Sequence, residues 1–278
     1  MNSMHHSSSP HWLLPGIIGL GAILMVLPFW FMLVFATHDE AHIFAVPPPL
    51  WFGDQLGENI SQLLNRLPYF WHNLSNSFYI AIMTTGLNLL FCSLAGCAFA
   101  LYQFKGKKWL FNLVLGTMLL PGFLNMIPNA LMIAMFGWIN EPKALYIPAA
   151  CGAFGVFLMR QYIEQAVPYE VIEAARLDGC SEWGLYRYMV LPLIRPALFT
   201  LALLTFIASW NNFMAPLVVL RDMESYTLPL ALRALQGVGV VPWGAVCAGA
   251  AIAVMPLIIL LIFTSHQLID RLSQGYSK

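Results

Sequence analysis

Charged residues are scarce in this 278-residue chain, at 9% of the sequence against about 25% in ordinary soluble domains. Lys and Arg number 13 and so do Asp and Glu, so no excess of positive charge indicates a nucleic-acid partner. The five cysteines form neither a CxxC pair nor a disulfide framework, and we interpret them as packing residues. Because 59% of the residues are apolar, the composition indicates a protein embedded mainly in lipid.

Sequence signatures of catalysis and of metal binding are also missing. No GxxxxGK[ST] loop is present, so the chain has no predicted nucleotide site. His38 and His42 have the i, i+4 spacing of zinc ligands, but Asp39 stands where a zinc-protease helix has glutamate, and no third ligand follows. We therefore predict no metal site.

Six apolar segments are long enough to cross a bilayer as helices of about 20 residues, and of these only the fourth contains a charged residue, Arg160, near its end. The sequence therefore predicts an all-α, polytopic membrane protein. The first 12 residues contain no Lys or Arg, which excludes the positive region of a cleavable signal peptide and indicates a retained anchor. The predicted spans are residues 13–37, 74–104, 109–138, 144–163, 197–220 and 244–265.

Three regions follow from this pattern of spans. Residues 1–72 hold a tail, the first span and an extracytoplasmic loop in which three consecutive prolines favour an extended connector. Residues 73–265 form the membrane core, and 266–278 form a cytoplasmic tail. Within the loop of the first region, a short surface helix is predicted over 59–67, with three leucines facing inward: Leu63, Leu64 and Leu67.

Small residues in the spans indicate where helices pack closely, and helix-breaking residues indicate where a span is interrupted. Glycine or alanine recurs at four-residue steps in three of them, a spacing that allows close helix packing: Gly96 and Ala100, Ala149 and Ala153, and Ala245, Gly249 and Ala253. Pro121-Gly122 and Pro128 interrupt the third span. Breaks at membrane depth occur where the backbone is covered by protein or lines a cavity, so this span is predicted to border a pathway.

The distribution of Lys and Arg predicts the orientation. With both termini cytoplasmic, nine positive residues lie inside: Lys105, Lys107, Lys108, Arg160, Arg176, Arg187, Arg195, Arg271 and Lys278. Four then lie outside: Arg66, Lys143, Arg221 and Arg233. This bias favours termini inside, and it places the loop over 168–196 in the cytoplasm.

That loop carries seven of the 26 charged residues. Its pattern predicts one helix over Tyr169–Asp178, begun by Pro168 and ended by Gly179 in a left-handed conformation. Ser181 is then predicted to cap a second helix over 182–190. One face of the first helix is predicted to present small residues, by helical spacing: Val171, Ala174, Ala175 and Asp178. The alternative, a helix pair lying on lipid headgroups, calls for larger apolar anchors and more basic charge.

The same residues carry a family resemblance. Glu173-Ala174-Ala175, then Asp178-Gly179, then Leu191-Pro192 resembles the EAA loop of binding-protein-dependent ABC transporter permeases. PPPLWFG, SWNNFMAPLVVL and SYTLPLALRALQG are similar to the carbohydrate-uptake branch, of the MalG type. The resemblance covers nearly the whole chain, most firmly residues 73–265. It implies a permease subunit of the bacterial inner membrane that imports a sugar or oligosaccharide.

The resemblance also implies a non-catalytic subunit with no cofactor of its own, together with partners and residue roles. The partners are a second permease, a dimer of ATPase subunits that binds ATP and Mg, and an extracytoplasmic solute-binding protein. The loop would couple this chain to the ATPase: Glu173 would pair with a basic residue, Ala174 and Ala175 would allow close approach, Asp178 would brace the loop, and Gly179 would supply the turn. Leu191 and Pro192 complete the motif.

Five polar or amphipathic residues inside apolar runs are candidates for the substrate pathway: Asn125, Asn129, Trp210, Asn211 and Asn212. Helix–helix hydrogen bonding is the alternative role for them. No span carries a charge at its centre, which favours a neutral solute over an anion. A polyol or glycerol phosphate stays open as a different cargo, and the partner permease is an equally good place for the substrate contacts.

Two other function classes are disfavoured. A secondary transporter calls for ionisable residues within the spans and two matching halves, and neither is present in the sequence. An intramembrane enzyme calls for a catalytic pair or metal ligands at depth, and the spans contain no such cluster.

Overall fold

A computed structural model describes residues 13–237 and 240–275, with side chains over 14–237 and 240–264. The predicted N-terminal tail and residues 276–278 lie outside the described residues, as do the side chains of the predicted C-terminal tail. The described backbone contains helices and no strand. The α-helices are α1 (Leu13–Phe35), α2 (Glu40–Ile43), α3 (Leu56–Arg66), α4 (Phe70–Leu101), α5 (Lys107–Met118), α6 (Met126–Met135), α7 (Lys143–Tyr146), α8 (Ala153–Ala166), α9 (Tyr169–Leu177), α10 (Glu182–Gly184), α11 (Leu191–Leu193), α12 (Arg195–Trp210), α13 (Met214–Val219), α14 (Leu228–Ala234) and α15 (Trp243–Gly275).

Two compact units make up the chain, and the first combines the described parts of Met1–Pro68 and Leu232–Lys278. In this unit α1 and the short helix α3 both pack on α15. Leu63 and Leu67 of the predicted surface helix are buried, as expected, and Leu64 is half-buried. A side chain at Gly249 would collide with Leu63 and Leu232, so the small-residue pattern of the last span marks a close approach.

Asn59 fastens α3 to the end of α1 within this unit. Its side chain is buried and donates hydrogen bonds to the carbonyl oxygens of Ala36 and His38, both at 2.9 Å. A buried amide with both donors satisfied stabilises one arrangement of the two helices. Asp39 caps α2 by accepting a hydrogen bond from the His42 backbone N–H at 2.9 Å, which gives the HDEAH segment a structural role.

The second unit, Tyr69–Ala231, is built on the 32-residue helix α4. Helices α8 and α12 pack along it, and their shared core includes the buried thiols of Cys92 and Cys97. A Cβ added at Gly96 would lie 2.5 Å from Met159 Cβ and 2.9 Å from the Arg160 backbone nitrogen. The predicted close helix approach at Gly96 is therefore confirmed, and α8 is the helix that approaches.

Predicted spans three to five are interrupted in the structure. The third bends by 101° between α5 and the helical residues that begin at Gly122, where Pro121-Gly122 predicts a break. The fourth was predicted to be continuous and is not, because Pro148 and Gly152 separate α7 from the 14-residue α8. The fifth was also predicted to be continuous. It breaks after Trp210, where the Asn212 side chain accepts a hydrogen bond from the Ala215 N–H and starts α13.

In the described part of the chain, three helices are long and apolar enough to cross a membrane: Leu14–Phe35, Phe70–Leu101 and Trp243–Thr264. Counting each of two strongly bent helix pairs as one span raises the number to five. The all-helical membrane architecture is confirmed, and the count of six stays a prediction.

Candidate functional site

The loop over 168–196 folds into two short helical segments joined at a glycine, which we call the coupling knob. Helix α9 ends at Leu177, and Gly179 follows with φ of +80°, as predicted. The Cys180 N–H donates to the Ala175 carbonyl at 3.0 Å, and the Gly179 N–H to Arg176 at 3.1 Å. These two bonds form a Schellman motif, in which a left-handed residue satisfies the last carbonyls of a helix. Pro168 lies one position earlier than predicted, just before the helix.

The second segment of the knob begins as predicted and then differs. The Ser181 hydroxyl accepts a hydrogen bond from the Gly184 N–H at 3.1 Å and caps the segment. Instead of one α-helix over 182–190, the structure has α10, a π-helix over Leu185–Val190, and α11. A regular helix would drive the Pro192 ring into the Tyr188 carbonyl, and the wider π turn accommodates it. Leu191-Pro192-Leu193 therefore continues the helix, and the bend of 78° comes just before α12.

The faces of α9 differ from the prediction. Ile172 and Ala175 are buried and face the core of the second unit, at 0% and 5% exposure. The prediction that Ala175 shares an outward face with Ala174 is wrong, because three-residue spacing places Ala175 beside Ile172. Glu173 and Ala174 are exposed, and so is Leu177, at 89%.

Leu177 is one of several large apolar side chains on the outside of the knob. Trp183 and Tyr188 are 58% and 73% exposed on the second segment. Exposed aromatic and aliphatic groups are typical of protein–protein contacts. Glu173 lies one helical turn before Leu177 on α9. Glu173 forms no ion pair with the described residues.

Arg176, Glu182 and Tyr102 fasten the knob together and to the end of α4. The Arg176 guanidinium donates to both oxygens of Glu182, at 3.0 and 3.2 Å, and lies 5.4 Å from the Tyr102 ring centroid. The Tyr102 hydroxyl donates to the same carboxylate. Since Tyr102 directly follows α4, this triad links both segments of the knob to the longest helix of the unit.

We expect Arg176→Ala and Glu182→Gln each to loosen the knob. An exposed ion pair contributes about 0.2–1 kcal/mol, so amide exchange over 169–177 rises roughly 1.5- to 5-fold. The double variant adds little to either single one, because both remove the same bonds. Hydrogen-exchange mass spectrometry of the purified chain measures the effect. Arg187→Ala is the control: it removes an equal charge from an exposed knob residue outside the triad. Equal loosening by the control would contradict the role of the triad.

The same triad makes the knob sensitive to acid. The hydrogen bonds from Arg176 and then Tyr102 lower the pKa of Glu182 below its ordinary value of 4.5. A lowered carboxyl pKa contributes stability above the unfolded value, and this stability is lost as the pH falls through the folded one. The exchange difference between wild type and Glu182→Gln therefore shrinks as the pH falls below 4.5, and it disappears once the pH is below the lowered pKa of Glu182.

Three of the five predicted pathway residues line one cavity of about 380 Å³, which we call the asparagine cavity. Asn125, Asn129 and Asn212 come together there, from the segment between α5 and α6, from α6, and from the break before α13. Trp210 and Asn211 do not line it. Trp210 is 3% exposed, and its ring centroid lies 4.6 Å from that of Phe78. Asn211 is exposed, and its side-chain amide donates a hydrogen bond to the Ile207 carbonyl.

A second cavity, of about 500 Å³, lies between α4, α8, α12 and α13. We call it the hydroxyl cavity, after its polar lining of Thr84, Asn88, Thr205, Ser209, Asn212 and Thr227. Sequence reasoning missed all of these except Asn212. The available signal was the four-residue spacing of two pairs within apolar helices: Thr84 with Asn88, and Thr205 with Ser209.

Neither cavity holds a metal-binding or catalytic constellation. None of the residues lining the two cavities is charged. Over the residues that the structure describes, no group of three or more His, Cys, Asp or Glu side chains is placed to hold a metal ion. The chemistry available to these sites is therefore neutral hydrogen bonding and apolar contact.

Known permease proteins of transport systems are similar to this chain in sequence. The chain is 36% identical over 222 residues to the arabinooligosaccharides transport system permease protein AraQ of Halalkalibacterium halodurans, covering 78% of each chain. It is 30% identical over 251 residues to the sn-glycerol-3-phosphate transport system permease protein UgpE of Salmonella typhi, covering 87% of this chain and 89% of the relative.

The fold is also similar to that of a solved structure. A chain in the crystal structure of a bacterial ABC transporter, involved in the import of the acidic polysaccharide alginate, superposes with a TM-score of 0.81. The match covers 96% of this chain and 99% of that one, at 21% sequence identity. At that identity the likeness shows the fold alone.

The family match extends over most of the sequence. Residues 43–277 fit the profile of the family described as binding-protein-dependent transport system inner membrane component. These residues include the coupling knob and both cavities. The chain therefore belongs to the binding-protein-dependent transport system inner membrane component family.

Proposed function

We propose that this chain is one permease subunit of an ATP-driven importer for a neutral sugar or oligosaccharide. The observation that carries the proposal is the coupling knob, whose outward surface combines exposed Leu177 with Glu173, a carboxylate that has no ion-pair partner among the described residues. Its partners are a second permease, a dimer of ATPase subunits and an extracytoplasmic solute-binding protein. The chain binds no cofactor, and ATP and Mg bind to the ATPase subunits.

The knob docks on the ATPase subunit in this proposal. Glu173 pairs with a basic residue of the partner, and Ala174 allows the surfaces to approach. Ala175 packs inward with Ile172, so its small size serves the attachment of α9 to this chain's own core. Asp178 and Gly179 set the turn between the two segments, and Leu191 and Pro192 lead into the bend before α12.

Motion of the ATPase reaches the spans through this attachment. The triad of Arg176, Glu182 and Tyr102 joins the knob to the end of α4, and Tyr186 adds a second link by a 2.7 Å hydrogen bond to Ser93, about two turns before that end. Because the knob is attached to α4 at two positions along the helix, the knob and α4 move together as one body. The solute then passes along the polar cavities that α4, α12 and α13 help to line.

A neutral sugar is the proposed cargo because both cavities lack charged side chains. Carriage of arabinooligosaccharides by a relative supports it, whereas the glycerol-phosphate relative supports an anionic alternative. Ligand binding by the solute-binding protein encoded beside this chain separates the two. Binding of a neutral saccharide with no affinity for glycerol 3-phosphate is the expected result, and the reverse preference overturns the cargo assignment.

Both termini are proposed to be cytoplasmic, and cysteine labelling tests this orientation. In a Cys151→Ser background, which removes an exposed thiol, Cys180 in the knob reacts with a membrane-impermeant reagent only in inside-out vesicles. The buried Cys92 and Cys97 stay unlabelled on either side. Adding Cys180→Ser abolishes the signal and identifies the thiol. Labelling of Cys180 in intact cells would reverse the orientation.

A further inference from the structure

The hydroxyl cavity contains a buried hydroxyl group that lacks a hydrogen-bond partner. Thr227 is 4% exposed and lines the cavity, and its Oγ1 atom has no partner among the described residues. An unpaired buried hydroxyl is unfavourable, so a group that completes the bond would be favoured there. The cavity gives such a group access to Thr227.

The remaining polar lining is only weakly engaged within the chain. The Ser209 hydroxyl is 3.4 Å from Thr84 Oγ1, and the Thr205 hydroxyl is 3.4 Å from Asn88 Oδ1. Hydroxyl hydrogen bonds are strongest near 2.7–2.8 Å, so both contacts leave donor and acceptor capacity available. Asn88 Nδ2 is better fixed, since it donates to the Ala149 carbonyl at 3.1 Å and thereby orients the amide.

The size and chemistry of the cavity define the class of ligand. About 500 Å³ falls within the range of small-molecule sites, which are mainly apolar with a few placed polar groups. Here the apolar wall includes the Phe154 ring, and none of the lining residues is charged. Hydroxyls both donate and accept, as the hydroxyls of a sugar ring do, so the two match without a charge on either side.

We propose that the hydroxyl cavity binds one ring of a neutral saccharide in transit, with Thr227, Ser209 and Asn88 as its hydrogen-bonding residues. This proposal rests on the importer function proposed above and adds that this chain itself contacts the solute. Asn212 lines both cavities, so a ring that leaves the hydroxyl cavity passes directly to the asparagine cavity. A lipid acyl chain does not fit, because it would leave the Thr227 hydroxyl unpaired.

The test uses the assembled transporter with its ATPase, second permease and solute-binding protein, in proteoliposomes. The probes are radiolabelled maltose, lactose, trehalose and arabinobiose, with glycerol 3-phosphate as the anionic comparison. Thr227→Val keeps the shape and removes the hydroxyl. Loss of one hydrogen bond in the site lowers saccharide uptake roughly 3- to 10-fold. Thr227→Ser, which keeps a hydroxyl, retains most of the uptake.

Thr85→Val is the matched control. The Thr85 hydroxyl is also buried and unpartnered among the described residues, and its side chain is not among those that line the hydroxyl cavity. We expect saccharide uptake by the Thr85→Val transporter to stay within about twofold of wild type, since no hydrogen bond to the solute is lost. An equal fall in Thr85→Val and Thr227→Val assigns the effect to helix packing and overturns the proposal.

The remaining outcomes separate this inference from the importer function. Wild-type uptake of a saccharide with no effect of Thr227→Val overturns the binding site and leaves the importer function standing. Uptake of glycerol 3-phosphate alone overturns the saccharide ligand. Failure of the wild-type transporter to accumulate any of the probes with ATP contradicts the proposed importer of these solutes itself.

Discussion

Glu173→Lys abolishes ATP-dependent uptake while the chain remains inserted in the membrane at its normal level. The side chain is exposed and forms no ion pair within the described chain, so the substitution does not disturb the fold of the knob. In the proposed contact it replaces an attractive charge pair by repulsion. Losing one partner of a desolvated interface pair costs about 2–5 kcal/mol, which lowers coupled transport at least roughly 30-fold. Solute uptake by cells and ATP hydrolysis stimulated by the binding protein measure the loss.

Glu170→Lys is the matched control for Glu173→Lys. It makes the same charge change on the same helix at another exposed position. We expect it to retain most of the uptake, and Glu173→Gln to fall between wild type and Glu173→Lys. Normal transport by Glu173→Lys would show that this residue is not part of the coupling contact. An equal loss of transport in both lysine variants would show that the net charge of the knob, and not a specific contact, causes the effect.

Gly96→Leu prevents the second unit from reaching its native packing. An added Cβ alone would lie 2.9 Å from the Arg160 backbone nitrogen, and a backbone atom of α8 cannot move aside as a side-chain end can. Overpacking costs about 1–3 kcal/mol, and a clash with backbone puts this site at or above the upper end. We expect a marked fall in the thermal stability and yield of the purified chain.

Gly86→Leu controls for the loss of glycine in the same helix. Gly86 also lies in α4, and an added Cβ there meets no atom within 4 Å. Its substitution removes a helix-weakening glycine without a clash in this chain, so stability stays equal or rises slightly. Equal stability of the Gly96 and Gly86 variants would contradict the close packing of α4 against α8.

Local sequence signals predicted the knob well where a single residue determines the backbone. Gly179 has the left-handed conformation that ends α9, and Ser181 caps the next segment. Pro121-Gly122 marks the bend of the third span in the same way. Each of these features depends on the conformational or hydrogen-bonding preference of one side chain, which the sequence states directly.

Features that depend on residues distant in the sequence but close in space were either not predicted or predicted wrongly. The inward face of α9 is set by the core that receives Ile172 and Ala175, and the sequence of the loop does not contain that core. At the break of the fourth span after α7, the Asn88 side chain of α4 donates a hydrogen bond to the Ala149 carbonyl, and this partner is distant in the sequence. The hydroxyl cavity likewise needs α4 and α12 side by side before its threonines and serine meet.

ATP-dependent uptake into proteoliposomes reconstituted from purified subunits decides whether this chain is part of an ATP-driven saccharide importer. We expect a saccharide loaded on the binding protein to accumulate only when ATP, the ATPase subunits and this chain are all present. Replacing ATP by a non-hydrolysable analogue stops the accumulation of the saccharide. Accumulation driven by an ion gradient without the ATPase subunits would contradict the account.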